Sequence, residues 1–343
     1  MLRRAIGPTR DFLLDILFGI TFGTTYRAMA TSIQLEKIFN KEYTAEPTSW
    51  NKRDLLTYAI GIGAKTCEKQ FVYELDPSFS AFPTYPVVLG FKGTDQDVVN
   101  FAERIRGSNN IKGLPEFDPR RLVHGSQSIE ILKPLPLVSG PGWKLKRRLA
   151  SIRENKSGVI VEIESLLVDP HDTPYARLFS ATFNLTAKIT GKPFSHSIAS
   201  PPQHVSIPRE RKPDWVIQEQ TLPEQALIYR LSGDYNPLHI DPLVGSDAGF
   251  GGVILHGLST FGFAARAIVK AVGGGGPSSL RYFGVRFTAP VVPGDGLETS
   301  AWEVRKAPDG TTEVAFEVKN TTTGKVVLGG GFARVVKFER SKL

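Results

Sequence analysis

The 343-residue chain holds a single cysteine, Cys67, so no disulfide can form within it. That fits a reducing compartment or an organelle interior better than secretion. Cys67 itself is expected to be a small buried packing residue. Long hydrophobic runs are also missing. The most apolar stretch of the N-terminal region, residues 12–22, is broken by Asp15 and is shorter than the ~20 residues a membrane span needs. No His, Cys and carboxylate spacing suits a metal site. No G-x-G-x-x-G follows a strand, and the glycine run 273–276 lacks the lysine of a phosphate loop. A nicotinamide domain and a P-loop are therefore not expected. The charge balance is basic, 42 Lys and Arg against 34 Asp and Glu, a net +8. Those charges are scattered, with short clusters at 144–148 and 209–212. Without zinc-finger spacing, an aromatic ribonucleoprotein motif or a long basic run, nucleic acid is not an expected partner.

What is present is ordinary globular material: 41% hydrophobic and 22% charged residues. The length suits two domains of about 150 residues each. Residues 1–48 are set aside as an extension. Its first thirty residues carry Arg3, Arg4, Arg10 and Arg27, which fits an amphipathic targeting helix. A dispensable leader ahead of Met29 fits equally. From Trp50 the pattern turns globular. Ser49 is the expected N-cap of a helix over 52–62, and 71–75 is short and strand-like. A helix is expected over 97–106, then strands at 126–132, 143–153, 158–169 and 175–190. Residues 191–213 hold five prolines and little periodicity, which reads as a linker or crossing segment.

The second half, 214–338, repeats the plan. A short helix is expected at 224–231 and a loop-rich stretch over 233–252. Leu258, Phe261, Ala265, Ile268, Val269 and Val272 then recur at helical spacing along one buried face. Strands follow at 280–288, 297–305, 311–320 and 326–338, joined by short turns that suit antiparallel neighbours. Each half thus reads as a helix followed by an antiparallel meander, an α+β class. One helix wrapped by one curved sheet is a hot-dog unit. Two in tandem, a double hot-dog, would cover sheet edges that are otherwise exposed. The last residues, 339–343, form a tail ending in Ser341-Lys342-Leu343, a tripeptide read by the peroxisomal import receptor.

The chemistry gathers in Tyr229-Arg230-Leu231-Ser232-Gly233-Asp234-Tyr235-Asn236-Pro237-Leu238-His239-Ile240-Asp241-Pro242. Pro237 and Pro242 fix the backbone, while Gly233 and Asn236 permit tight turns. A rigid loop then carries an acid and an imidazole five residues apart, a suitable proton-transfer pair. Taken alone, such a spacing more often reflects turn caps and a satisfied core histidine. The context changes that balance. Leu255-His256-Gly257-Leu258 opens the long helix, where unpaired N–H groups carry partial positive charge. Gly257 would let a thioester carbonyl approach and give it an oxyanion donor. His256 beside it reads as a structural hydrogen-bonder. His171, His196 and His204 fall in turns or the linker and are expected to face solvent.

Residues 229–242, 254–263 and 286–294 together resemble the MaoC-like hydratases, specifically the peroxisomal hydratase 2 type, (3R)-specific enoyl-CoA hydratases. Residues 55–64, Tyr73-Glu74, Val123-His124-Gly125 and Lys133-Pro134-Leu135-Pro136 resemble that family's N-terminal half, so the likeness spans roughly residues 50–338. The resemblance implies a double hot-dog, a homodimer and catalysis by the second half only. It implies acid/base roles for Asp234 and His239, a water-holding role for Asn236 and an oxyanion N–H at Gly257. It puts His124, Gly125, Lys156 and Phe287 near the acyl-CoA ligand, and gives Glu74, Arg230 and Asp241 a bracing role through ion pairs. The first half lacks the D-x-N-P-x-H loop, so its implied work is to make room for a bulky acyl chain. No separate cofactor is implied, because CoA arrives as part of the substrate. A hot-dog thioesterase and a non-catalytic acyl-CoA-binding subunit are the alternatives, and neither needs the loop.

Overall fold

The computed structural model describes residues 38–39, 43–105, 111, 113–118 and 121–338. The leader 1–30 and the tripeptide 341–343 lie outside the described residues. Among the described residues eleven strands form one sheet, in the order β1-β3-β4-β5-β2-β8-β11-β10-β9-β7, with β6 paired to β3. In the first half these are β1 (Thr44–Pro47), β2 (Leu122–Ile131), β3 (Lys144–Asn155), β4 (Gly158–Val168), β5 (Pro174–Leu185) and β6 (Phe194–Ser197). In the second they are β7 (Trp215–Gln220), β8 (Leu280–Phe287), β9 (Gly296–Lys306), β10 (Thr312–Asn320) and β11 (Val326–Val335). The halves meet edge to edge, β2 against β8, antiparallel from Ser126↔Arg286 to Glu130↔Tyr282. Each half therefore covers one edge of the other. This is the expected double hot-dog.

Among the described residues the two longer helices are α1 (Lys52–Gly61) and α2 (Gly257–Ala271). Asn51, not Ser49, caps α1. Its side chain accepts from Arg53 and Asp54 N–H, and Asp54 reaches back to Asn51 N–H. A reciprocal capping box outcompetes a serine two residues earlier. Residues 71–75 are not a strand. Lys69–Val72 is a helical turn whose Phe71 plugs the core, and a short apolar run does not distinguish the two by periodicity. Helix α2 is buried over most of its length and contributes Leu258, Phe261, Ala265 and Ile268 to the main core. No helix among the described residues is long and apolar enough to cross a membrane.

Two segments read as peripheral join the fold. Thr44–Pro47 pairs with β3, and Ile38 and Phe39 are buried against Leu149, Ile152 and Val159. Phe194–Ser197 also pairs with β3, and half-buried His196 lies 4.3 Å from the Phe39 ring instead of facing solvent. Beyond it, the proline-rich segment holds to β3 through Ile198 N–H and Ala150 O, and to β10 through Arg209 and Glu317. Cys67 is exposed, contrary to its packing role, at a turn closed by Glu68 N–H and Lys65 O. Its neighbour Glu68 takes the inward position. The basic cluster at 144–148 is largely paired within the sheet, Lys146 with Asp172, Arg147 with Glu46 and Arg148 with Glu164.

The halves interlock closely where α1 ends. A Cβ at Gly262 of α2 would collide with Ile62, which is fully buried. Gly262→Ala is therefore expected to destabilise the protein by about 1–3 kcal/mol by overpacking, although alanine favours helix. Denaturant titration checks this.

Candidate active site

The loop from Gly233 to Asp241 is built from local caps. Gly233 takes φ +120°, and a Cβ there would lie 2.8 Å from the Lys92 backbone nitrogen, so the chain turns hard against the first half. Asn236 accepts Leu238 N–H at 3.0 Å and caps a 3₁₀ turn over Pro237–His239. Its own N–H donates to Asp234 Oδ1 at 3.3 Å. Asp241 accepts Leu243 N–H at 2.9 Å and caps the helix Pro242–Asp247. These short bonds fix the spacing of Asp234 and His239 before any tertiary contact acts.

Tertiary contacts then orient the pair. His239 Nδ1 lies 2.9 Å from the Ile254 carbonyl, so it donates there and leaves Nε2 for other partners. Asp234, His239 and His256 place their polar atoms within 4.8 Å of one another. Burial pushes the Asp234 carboxyl above its ordinary range, opposed by the His239 imidazole and the Asn236 N–H. Burial pulls His239 below the usual imidazole range, opposed by the Asp234 carboxylate and by the Ile254 carbonyl. Burial thus moves both groups toward their uncharged forms, and the two titrate as a pair. A metal fits this trio poorly. The His239 and His256 rings stack at 3.7 Å and 26°, so their in-plane lone pairs run side by side and do not converge on an ion.

Gly257 is the first residue of α2, and no side chain caps that terminus. As the first helical residue it has no intrahelical acceptor for its N–H, which leaves a helix-end donor next to His256. A Cβ at Gly257 would sit 3.1 Å from the Phe287 ring. Phe287 in turn lies 4.6 Å from His124. His124 comes from β2, is bonded to Ser180 at 3.1 Å, and is pulled by burial to a pKa of about 4. It is thus a neutral side chain of the first half that reaches the Gly257 terminus through Phe287. Gly125 sits at the β2 bulge between His124 and Ser126. Lys156 does not join them. It lies in the exposed β3–β4 turn, where its carbonyl accepts from Lys188, and β5 lies between β4 and β2.

The bracing ion pairs are absent among the described residues. Glu74 is exposed and pairs with no cation, because its segment turns outward after Val72. Arg230 lies over the Tyr235 ring at 5.0 Å, and the Asp241 carboxylate is engaged as a helix cap. The two halves are instead tied together around the site by residues that sequence reasoning missed. Lys92, 6% exposed, donates to Ser49 O and Asp95 O, with Asp54 at 3.4 Å, and presents its backbone to Gly233. Gln225 and Ser259 both donate to Gly61 O at 2.9 Å. Arg266 of α2, 1% exposed, pairs with Glu68 at 2.7 Å and with Glu219, and its Nε donates to Ile62 O. None of these pairs has a local signature; they join positions up to 204 residues apart.

A cleft of about 440 Å³ opens beside His239. Leu227, Ile240, Phe250, Val253 and Val292 line it, all from the second half. The first half's visible contribution is the brace and His124.

Comparison with known proteins fits this division. Residues 49–184 match the MFE-2 hydratase 2 N-terminal domain, and residues 204–326 match the MaoC like domain. The chain is 36% identical to the probable dehydratase NIT22 of Ajellomyces capsulatus, over 85% of this chain and 80% of that protein. It is 35% identical to the peroxisomal enoyl-CoA hydratase 2 of Arabidopsis thaliana, over 82% of this chain and 89% of that one. The crystal structure of a MaoC-like dehydratase from Phytophthora capsici superposes with a TM-score of 0.80 at 38% identity, covering 89% of this chain and 98% of that one.

Proposed function

The chain belongs to the MaoC-like hydratases of the hydratase 2 type, and from that membership we propose that it adds water across the double bond of trans-2-enoyl-CoA thioesters in peroxisomal β-oxidation, giving the (3R)-3-hydroxyacyl-CoA. The observation that carries the reading is geometric: the polar atoms of Asp234, His239 and His256 gather within 4.8 Å at the residue that precedes Gly257, the first residue of an uncapped helix, and a cleft lined mainly by apolar residues opens at His239.

The thioester carbonyl accepts the Gly257 N–H, which draws charge onto its oxygen and makes C3 electrophilic. Water sits between Asp234 and His239, with Asn236 shaping the loop at its side. Asp234 is the acid and His239 the base, whose Nδ1 is held by the Ile254 carbonyl and whose Nε2 is left to face the water. His239 then takes a proton from water as it attacks C3, and Asp234 delivers a proton to C2 on the same face. The acyl chain lies along the apolar cleft.

A bell-shaped pH profile of kcat/KM follows. The acid limb marks protonation of His239 and falls below the usual imidazole range, because burial lowers that group. The basic limb marks loss of the Asp234 proton and lies above the usual carboxylate range, because burial raises it. Both limbs belong to the pair as a unit. An acid limb at or above pH 6.5 would contradict the assignment. A thioesterase reading is separated by assay: loss of enoyl absorbance without release of free thiol supports hydration.

The peroxisomal relative supports an organelle address, and Ser341-Lys342-Leu343 supplies the receptor-read signal for it. Removing residues 341–343 is expected to leave a fluorescent fusion diffuse in the cytosol. A fusion that still concentrates in peroxisomes would reject that signal. By likeness to its family the protein works as a homodimer, which sedimentation of the purified chain tests.

A further inference from the structure

A third titratable side chain lies in the same recess. His256 is 1% exposed and immediately precedes Gly257. Its Nε2–H donates to the Asp234 carbonyl at 3.1 Å. One face stacks on His239 at 3.7 Å, and the Tyr229 ring lies 5.0 Å away. Its Nδ1 is buried with no hydrogen-bond partner. A proton there would have no acceptor, so the ring is the neutral Nε2–H tautomer. Burial, the His239 ring and the Arg230 guanidinium all hold it well below the usual imidazole range. His256 is therefore no proton donor.

Its place in the fold gives it another role. His256 is the N-cap residue of α2, and its imidazole bonds the backbone of the acid itself, 22 residues earlier in the chain. The loop carrying Asp234 and the helix carrying Gly257 are thus tied at the point where both face substrate. The stacked ring also limits the plane of His239, whose edge is fixed by Ile254. A misplacement of ~1 Å between such groups can cost about a hundredfold in rate.

We propose that His256 is a positioning residue whose Nε2–H bond to Asp234 and stack on His239 hold the acid/base loop in register with the helix terminus that presents Gly257. This rests on the roles given above to Asp234, His239 and Gly257.

Two variants test it. His256→Phe keeps a buried ring but loses the N–H; His256→Gln keeps a donor. With trans-2-enoyl-CoA, below the melting temperature of each variant, His256→Phe is expected to lose about 10- to 100-fold in kcat with little change in KM. His256→Gln is expected to recover most of that loss. A folded His256→Phe with wild-type kcat, or a His256→Gln no better than it, overturns the proposal. Imidazole NMR on the wild-type protein gives a readout independent of turnover. The Nε2–H tautomer without titration near pH 6.5 is expected, and an Nδ1–H tautomer overturns the geometry. A wild-type protein that hydrates no enoyl-CoA sinks the functional reading instead, and the NMR result then decides the geometry alone.

Discussion

Asp234→Asn is expected to cut hydratase turnover by about a hundredfold to ten-thousandfold while leaving the protein folded. The amide is nearly isosteric with the carboxyl, and the Asn236 N–H bond at 3.3 Å survives on its oxygen. What disappears is the exchangeable proton. His239→Gln should fall in the same range, and the double variant should cost little more than either alone, because the two groups act on one water. Steady-state rates with a single enoyl-CoA substrate measure all three. Wild-type turnover in folded Asp234→Asn would remove the carboxyl from the mechanism.

Arg266→Met is expected to destabilise the protein by about 3–5 kcal/mol. The substitution keeps bulk in α2 but leaves the carboxylates of Glu68 and Glu219 buried without their cation. Both keep only about a tenth of their side-chain surface exposed, 10% and 13%. The guanidinium also ties α2 to Ile62 O, so the loss reaches the contact between the halves. A triple replacement that removes both carboxylates as well should recover much of the deficit, since a buried ion cluster contributes little net stability over apolar residues of like volume. Denaturant midpoints of the single and triple variants test this. A single variant within about 1 kcal/mol of wild type would show the cluster to be solvated.

Much of the architecture was legible because it is periodic or locally capped. The α2 stripe from Leu258 to Val272 repeats at helical spacing and is buried as that spacing requires. The four strands expected in the second half, β8 to β11, lie within a few residues of their turn signals, whereas β7 (Trp215–Gln220) was not expected. The 233–241 loop was legible because its glycine, asparagine and prolines each have one conformational use. The errors share a different cause. Ser49 and Asn51 both suit a cap, and only the reciprocal bond with Asp54 decides between them. Residues 71–75 are too few to show a period. Cys67 and Glu68 are neighbours, and which of them turns inward depends on Arg266, 198 residues from Glu68. The resemblance implied bracing ion pairs at Glu74, Arg230 and Asp241, which the described residues do not form. The braces present are Lys92, Gln225 and Ser259, whose partners are backbone groups that carry no residue signature.

Pairing Asp234 and His239 with Gly257 makes one claim that a product analysis reaches directly. The purified protein, given trans-2-enoyl-CoA, should consume the enoyl absorbance and release no thiol, and its product should be oxidised by a dehydrogenase specific for (3R)-3-hydroxyacyl-CoA. A product taken only by the (3S)-specific dehydrogenase, or free CoA in place of a hydroxyacyl thioester, would contradict the account.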